Sequence, residues 1–436
     1  MGIYFGTDGL RGVYGEEITP SIAFKCGNSL SRFCKNKKVI IGKDPRVTGD
    51  ILTFSVANGL MQNGIDVIDV GLVPTPAIAY LTKCMECDYG IVISASHNPP
   101  MYNGIKIFDS EGYKISESIE NSIERKFMFP CSEPFYNVGR YKYRPNLIQK
   151  YIKNIVSNIG DLKGLKIVID CGNGASSKIA KEIFKNLNAS VIMMNCKTDG
   201  ISINDDCGAL YPQSMAQMVR QEKADLGVAF DGDADRIYAC DENGNLVDGD
   251  DILYVLARYF KDKNGYVVGT SLSNKGFENA LNKKGINLLR ADVGDKYVIE
   301  IMKNKNILLG GEPSGHIIVK SYSTTGDGIL TGLLLSDIIK KSCKPLSKLI
   351  DYKKFPQVNI NVTVIDKFRI LNSEKLSSAI LELQQEFKNK GRVLVRASGT
   401  ENKVRIMCEH INKTTALRAS QSLENIIKDL NSQQKN

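Results

Sequence analysis

The apolar positions of this chain are spaced in two ways, and the change of spacing divides it. Three stretches repeat one unit, a short run of apolar residues, a polar loop, an amphipathic helix and a second short run. The first joins Val39-Ile40-Ile41 to Val67-Ile68-Asp69-Val70 through a helix near Ile51 to Met61. The second joins Lys166-Ile167-Val168-Ile169 to Ser190 to Met193, with a loop at Asp170 to Gly174 and a helix over Ile179 to Leu187. The third joins Tyr266-Val267-Val268 to Asn287 to Leu289, with a helix around Phe277 to Lys284. Apolar strands alternating with helices imply parallel sheets covered on both faces. In the tail, Val358-Asn359-Ile360-Asn361-Val362-Thr363-Val364 alternates with period two, the mark of a half-exposed strand in an antiparallel sheet. Helices around Ser373 to Lys388 and Thr415 to Asn431 flank a further strand pair.

The expected fold class is therefore α/β. Three tandem α/β mixed-sheet domains (1–147, 148–248 and 249–356) precede a C-terminal α+β domain, 357–436. A chain of 436 residues is too long for one hydrophobic core, so several domains are expected in any case. The last residues, Ser432 to Asn436, are expected to fray.

Composition narrows the function. Hydrophobic residues make up 42% and charged residues 24%, the balance of a soluble globular protein. No apolar run approaches the roughly 20 residues that span a bilayer, and the opening Met1-Gly2-Ile3-Tyr4-Phe5-Gly6 is not a secretory signal. The expectation is a cytoplasmic protein with no membrane partner. The 11 cysteines are scattered and often lie inside apolar runs, which suits buried reduced thiols. Cys84 and Cys87 form a single C-x-x-C pair with no second pair at zinc spacing. The net charge of +9 is spread along the chain, and Lys35 to Lys38 is the only dense cluster. That pattern gives no nucleic-acid patch and fits an anionic small substrate.

Four polar loops carry candidate chemistry. Ser94-Ala95-Ser96-His97-Asn98-Pro99 follows the apolar run Tyr89 to Ile93, so Ser96 sits where α/β proteins place their chemistry; the same residues also suit an ordinary turn. Asp231-Gly232-Asp233-Ala234-Asp235-Arg236 lies between Gly227 to Phe230 and Ile237 to Ala239. Carboxylates at alternate positions converge only around a cation, which implies a hard divalent ion. An EF-hand is excluded because Arg236 stands at the sixth position, where the turn needs glycine, and three ligands with open positions suit Mg²⁺. Gly310-Gly311-Glu312-Pro313-Ser314-Gly315-His316, after Ile307 to Leu309, offers the acceptors and donors a polyol wants, with His316 as a candidate proton shuttle. In the tail, Arg396-Ala397-Ser398-Gly399-Thr400-Glu401-Asn402-Lys403-Val404-Arg405 sets two arginines around a Ser-Gly-Thr turn, a phosphate cradle or an incidental surface turn. Glycine-containing turns add Arg11 and Arg46. No P-loop occurs, so nucleotide-driven transfer is not indicated.

Set in chain order, these loops resemble the α-D-phosphohexomutase superfamily from Gly6 to beyond Arg405. The resemblance places Ser96 at the phosphorylated position and Asp231, Asp233 and Asp235, with the phosphoserine on Ser96, as magnesium ligands. It assigns Glu312 and Ser314 to sugar reading and Arg396, Ser398, Gly399, Thr400 and Arg405 to phosphate binding. Within the superfamily, Tyr4 to Gly12, Ile93-Ser94-Ala95-Ser96 and Thr324-Thr325-Gly326-Asp327-Gly328 are most similar to the bacterial phosphoglucosamine mutase branch. Pro313 stands where that branch usually has Gln, Ala234 where Gly is common and Asn402 where Pro is usual.

The resemblance implies four domains around a central cleft and an isomerase that interconverts glucosamine 6-phosphate and glucosamine 1-phosphate. The phosphate of Ser96 would pass through a bisphosphorylated sugar and return, supplying UDP-N-acetylglucosamine synthesis. Arg11 and Lys106 are candidates for stabilising charge, and Lys106 and His316 both remain open as the group that moves the proton. Arg236 is expected only to hold its loop. The resemblance is compatible with a homodimer. Phosphoglucomutase or phosphomannomutase activity, a Mg²⁺-dependent phosphatase using Asp231-x-Asp233, and a non-catalytic sugar-phosphate binder are the alternatives.

Overall fold

Unbroken apolar runs become strands buried along their whole length, as at Tyr89–Ile93 and Leu226–Phe230. The computed structural model describes residues 5–6, 9–127, 138–260, 265–398 and 401–433. It separates into two compact units, 1–272 with 286–351, and 273–285 with 352–436. Gly399, Thr400 and the last three residues, on which expectations were placed, lie outside the described residues.

The first unit contains three sheets. The first has β1 (Phe5–Gly6), β2 (Gly9–Val13), β3 (Lys38–Lys43), β4 (Asp66–Leu72), β5 (Tyr89–Ile93), β6 (Tyr102–Asp109) and β7 (Tyr141–Tyr143), in the order β1-β2-β6-β5-β3-β4-β7. The second has β8 (Lys166–Asp170), β9 (Ser190–Met194), β10 (Leu226–Phe230), β11 (Ile237–Cys240) and β12 (Leu246–Val247), in the order β12-β11-β10-β8-β9. The third has β13 (Tyr266–Thr270), β14 (Asn287–Ala291), β15 (Leu309–Gly311) and β16 (Ile317–Val319), in the order β14-β13-β15-β16.

All three sheets are mixed, as the expected fold class has it, with antiparallel strands added to the parallel ones that the repeats imply. Strands joined through helices pair in parallel, as β3 does with β4, β8 with β9 and β13 with β14. Where the connection is only a short loop, the next strand must turn back and pair antiparallel. This happens between β5 and β6, β10 and β11, and β15 and β16. Those three returns are the serine, aspartate and Glu312 loops.

β15 begins at Leu309, two residues later than the apolar run suggests. Ile307 is used instead to close the preceding helix, Asp295–Asn304. Asn306 is left-handed at φ +53°, its N–H bonds Lys303 O, and Ile307 N–H bonds Met302 O at 2.9 Å. This is a Schellman ending.

In the second unit, β17 (Gln357–Thr363), β18 (Gly391–Ala397) and β19 (Lys403–His410) form an antiparallel sheet in the order β17-β19-β18. Val358, Ile360 and Val362 point inward as their alternation demands, against helices Glu374–Phe387 and Lys413–Ser432. The helix Lys275–Lys283, third-repeat in pattern, clusters with this unit. Its N-cap Asn274 accepts from Gly276 N and Phe355 N and donates to Phe355 O. No helix among the described residues is long and apolar enough to cross a membrane.

Asp327 ties two elements of the first unit. It caps helix Gly328–Ser342 by accepting from Leu330 N at 2.9 Å. It also receives the hydroxyl of Tyr151, on helix Ile148–Val156, at 2.9 and 3.1 Å. Burial pushes the Asp327 carboxyl up to about 6. The native state therefore holds its proton more tightly than the unfolded chain. This contribution is complete below the ordinary carboxylate pKa and is lost as pH rises towards about 6. The expected loss for the wild type relative to Asp327→Asn is about 2–3 kcal/mol between pH 4 and 7. Urea unfolding of both proteins at the two pH values checks it, and parallel pH profiles would sink it.

Candidate active site

The serine loop is built before any substrate arrives. β5 ends at Ile93, and Ser96, fully buried, takes φ +50°. That left-handed backbone costs a non-glycine residue about 1–2 kcal/mol and persists only where surrounding contacts enforce it. The enforcer is Arg46. Its guanidinium donates to four carbonyls of the loop, Ser96 O at 3.0 Å, Asn98 O at 2.7 Å, Tyr102 O at 2.9 Å and Pro99 O. Its Nε pairs with Asp44 Oδ2 at 2.9 Å, both side chains having no exposure. Asp44 in turn accepts from Ser94 Oγ at 2.6 Å, and Ser94 Oγ accepts from Ser96 N at 2.8 Å. Asn204 adds a further donor to Ser96 O at 2.8 Å. Every polar group of this scaffold is thereby engaged, so Arg46 is a builder of the loop.

Ser96 Oγ donates to Asp231 Oδ2 at 2.6 Å, which brings the first loop onto the second. Asp231, Asp233 and Asp235 are buried and offer carboxylate oxygens within 4.8 Å of one another; among the described residues they are the one acidic cluster able to hold a metal ion. The turn places them by setting Ala234 at φ +55°, a conformation that favours glycine, and by bonding Arg236 N to Asp231 Oδ1 at 3.1 Å. Thr75 anchors Asp233 through its hydroxyl and its N–H, the latter to Asp233 O at 2.9 Å.

The ammonium of Lys106, on β6, donates to Asp233 Oδ2 and Asp235 Oδ2, each at 2.8 Å. Burial opposes its charge, but the two carboxylates outweigh burial and hold its pKa above the ordinary lysine value. Burial and the charges of Asp235 and Asp233 push the Asp231 carboxyl well up. Burial acts the same way on Asp235, yet Lys106, His316 and Arg236 hold it well below the carboxylate range. Arg236 and Arg11 add positive charge at longer range. The buried oxygens Asp233 Oδ1 and Asp235 Oδ1 accept no hydrogen bond among the described residues, and hard anionic oxygens left in this way fit a divalent cation.

His316 joins the third loop to the second. Its Nε2 accepts from Gly326 N at 3.0 Å, and its Nδ1 lies 3.7 Å from Asp235 Oδ1. Asp295, paired with Lys114 at 2.6 Å, lies 3.4 Å from Nε2. Glu312 Oε1 accepts from Gly294 N at 3.1 Å, while Ser314 is exposed. Pro313 is part of an ordered turn, since its carbonyl accepts from Gly249 N at 3.1 Å. Arg11 Nη1 reaches Asn98 Oδ1 at 3.4 Å. Arg236 Nε stands 3.9 Å from Asp235 Oδ1, so the arginine does more than hold the loop backbone. Burial, then Arg236 and Arg11, pushes the His97 imidazole down to about 3, which leaves it neutral. Ser96, the three aspartates, Lys106, Arg11 and His316 thus form one connected set in the first unit.

In the second unit, Arg396 and Arg405 stand directly opposite across β18 and β19. Burial and the charge of Arg405 lower the pKa of Arg396. Arg405 Nη2 donates to Ser398 Oγ at 3.3 Å, and Lys367 Nζ to Ser398 O at 2.7 Å and Glu401 O at 3.1 Å. Like charges placed face to face repel, and an anion between them relieves the repulsion. Gly399 and Thr400 lie outside the described residues.

Sequence reasoning missed Asp44, Thr75, Asn204, Asp295 and Lys367, and gave Arg46 little weight. Each comes from a segment distant in the chain from the loop it supports, and no local pattern marks it.

Comparison with known proteins gives a consistent result. Models of the four phosphoglucomutase/phosphomannomutase domains match in order: alpha/beta/alpha domain I over residues 2–128, domain II over 149–244, domain III over 248–355 and the C-terminal domain over 359–420. Curated relatives include the phosphoglucosamine mutase of Pelotomaculum thermopropionicum, 44% identical over 99% of this chain and 100% of that protein. That of Bacillus subtilis is 42% identical over 94% of each. Among solved structures, a phosphoglucomutase/phosphomannomutase family protein of Burkholderia thailandensis superposes with a TM-score of 0.83 at 24% identity, covering 98% of this chain and 97% of that one. An Aspergillus fumigatus N-acetylphosphoglucosamine mutase, solved with GlcNAc-6P and magnesium, gives 0.68 at 17% identity over 98% and 96%. At these identities the two structures speak for the fold.

The arginine scaffold can be tested by itself. Arg46→Met strands Asp44 as a buried unpaired charge and frees four carbonyls, an expected loss of about 3–5 kcal/mol. Arg46→Lys recovers only part of it, because an ammonium lacks the planar fork. Denaturant unfolding reads both variants, and wild-type stability in Arg46→Met would refute the assignment.

Proposed function

The chain belongs to the phosphoglucomutase/phosphomannomutase family, and on that premise we propose that it interconverts glucosamine 6-phosphate and glucosamine 1-phosphate, with Ser96 carrying the phosphate. The observation that carries the reading is the 2.6 Å contact between Ser96 Oγ and Asp231, inside a buried aspartate cluster. A phosphoryl group on Ser96 would adjoin carboxylates that only a cation can reconcile with it. The phosphoglucosamine mutase relatives, 42–46% identical over nearly the whole chain, support the choice of sugar.

Ser96 would start as the phosphoserine. A hydroxyl of the sugar phosphate takes that phosphoryl group, the bisphosphorylated sugar turns over, and its other phosphate returns to Ser96. We assign a divalent cation, Mg²⁺, to Asp231, Asp233, Asp235 and the phosphoserine oxygen, where it would polarise the transferring group. Lys106, held protonated by two carboxylates, is suited to neutralising charge. His316 has Nε2 committed to Gly326 N, so its contribution is to hold the sugar-reading loop beside Asp235. Arg11 supplies a second cation beside the serine loop. Glu312 and Ser314 would read the sugar, and Arg396, Ser398, Gly399, Thr400 and Arg405 would bind the phosphate that is not reacting.

A phosphatase using Asp231 as nucleophile is disfavoured, because both its oxygens are already occupied by Ser96 Oγ and Arg236 N. We infer a cytoplasmic location from the sugar-phosphate substrate assigned above.

The purified protein is expected to carry phosphate on Ser96 by mass spectrometry, and Ser96→Ala to lose mutase turnover by several orders of magnitude. Full turnover in that variant would end the proposal. Glucosamine, glucose and mannose 6-phosphates compared side by side decide the sugar, with glucosamine expected to give the highest kcat/KM. Mg²⁺ at about 100 times its dissociation constant should stabilise the fold by about 2.7 kcal/mol. Asp235→Asn should reduce that shift in a melting experiment. An unchanged shift would remove Asp235 from the ligand set.

A further inference from the structure

The mutase chemistry uses no cysteine, yet two thiols meet at the end of the second sheet. Cys171 follows β8, and Cys196 lies two residues beyond β9, its parallel neighbour in register from Lys166 with Ser190 to Asp170 with Met194. One carbonyl gathers both residues. Met194 O accepts from Cys171 N at 3.1 Å and from the Cys196 thiol at 3.2 Å, so Cys196 is folded back over the strand end towards Cys171. Asn173 keeps the two segments side by side, its N–H donating to Asn195 O at 2.7 Å and its Oδ1 accepting from Lys197 N at 2.9 Å. The two thiols are near enough that each is the largest single influence on the other's ionisation. The register would set Cys171 beside Asn195, and it is the left-handed turn at Asn195 (φ +47°) and the shared Met194 carbonyl that bring Cys196 back alongside; a disulfide needs Cα atoms about 5.5–6 Å apart.

The members of the pair differ in the way that exchange chemistry requires. Cys196 is exposed and Cys171 buried. The neighbouring Cys171 thiol lowers the Cys196 thiol below its ordinary value against the effect of burial, with Lys181 assisting. The neighbouring Cys196 thiol, and then burial, pushes Cys171 well up. Cys196 is thus the accessible thiol that ionises, and Cys171 the protected one behind it.

We propose that Cys171 and Cys196 form a hydroperoxide-responsive dithiol that closes reversibly to a disulfide beneath the aspartate loop. The Cys196 thiolate attacks one peroxide oxygen, the O–O bond breaks, and the departing hydroxide is protonated, leaving Cys196 as a sulfenic acid. The Cys171 sulfur then attacks the Cys196 sulfur, and the displaced hydroxide leaves with the Cys171 proton as water. Two thiols lose two electrons and two protons, and hydrogen peroxide becomes two waters.

The bond would form in a segment that supports both active-site loops. Ala175 N donates to Gly232 O at 2.8 Å, and Gly174 packs so closely that a Cβ there would meet Gly232 O at 2.5 Å. Gly172 O accepts from Asn204 N at 2.9 Å, and Asn204 holds Ser96 O. A shift of Cys171 is therefore transmitted to Gly232 and Ser96, and the disulfide form is expected to turn over more slowly.

Reduced full-length protein treated with hydrogen peroxide, alkylated and peptide-mapped tests the site. The expected product is a linked pair of peptides containing Cys171 and Cys196, lighter by two hydrogens and separated again by dithiothreitol. Cys171→Ser should instead stop at a Cys196 sulfenic acid trapped by dimedone. Two thiols still free to alkylate, or Cys196 oxidised to sulfinic acid with Cys171 untouched, would overturn the proposal. Turnover should fall with the linked fraction, recover on reduction and stay insensitive to peroxide in Cys196→Ser. Full turnover of a completely linked sample would refute the coupling to the loops. The reduced protein's own rate tests the mutase activity, so the two failures can be told apart.

Discussion

Three buried carboxylates converge on one bridging ammonium, with the Arg236 and Arg11 guanidiniums farther off, and the first unit is organised around keeping them together. Removing an ion from water costs several kcal/mol even after the protein relaxes. Asp231, Asp233 and Asp235 can be kept together only by fixed partners. Lys106 bridges two of them, Thr75 and Arg236 N hold the loop, and Ser96 Oγ satisfies Asp231. Two buried carboxylate oxygens, Asp233 Oδ1 and Asp235 Oδ1, are left without a donor among the described residues, which is what fits the cluster to a divalent cation, and the Ser96 hydroxyl is built into the same assembly through Asp231.

The same constraint accounts for the backbone. A buried loop must have every N–H and C=O paired, and the serine loop meets that demand by spending a whole guanidinium, Arg46, on four carbonyls. Ser96 and Ala234 can then occupy the left-handed region. Sheet topology supplies the positions. Each functional loop of the first unit is the short return after an inner strand, so its residues emerge at a sheet edge with a rigid strand on either side. The Arg396–Arg405 loop has the corresponding place between β18 and β19 in the second unit.

Much of this was legible in the chain itself. The repeated strand–helix–strand spacing and the period-two alternation of residues 358–364 declare the fold class, because burial on two faces and burial on one leave different patterns. The alternate aspartates point to a cation, while the serine and arginine loops suit either phosphate or an ordinary turn until they are set together in chain order. The limits of local reading show at Ile307, an apolar residue that reads as strand and is consumed by a helix ending.

Long-range partners were decided only by the tertiary structure. Arg46 and Asp44 are half a hundred residues from the loop they build, and Lys106 and Thr75 reach the aspartates across more than a hundred. Cys171 and Cys196 looked like two more scattered thiols until the ends of β8 and β9 gathered both on the Met194 carbonyl. The sequence by itself determined the kinds of element and the chemical character of the four loops, since both follow from neighbours along the chain. Which distant side chain neutralises a carboxylate, or faces a thiol, depends on how sheets register and pack, and that is encoded in the whole chain at once.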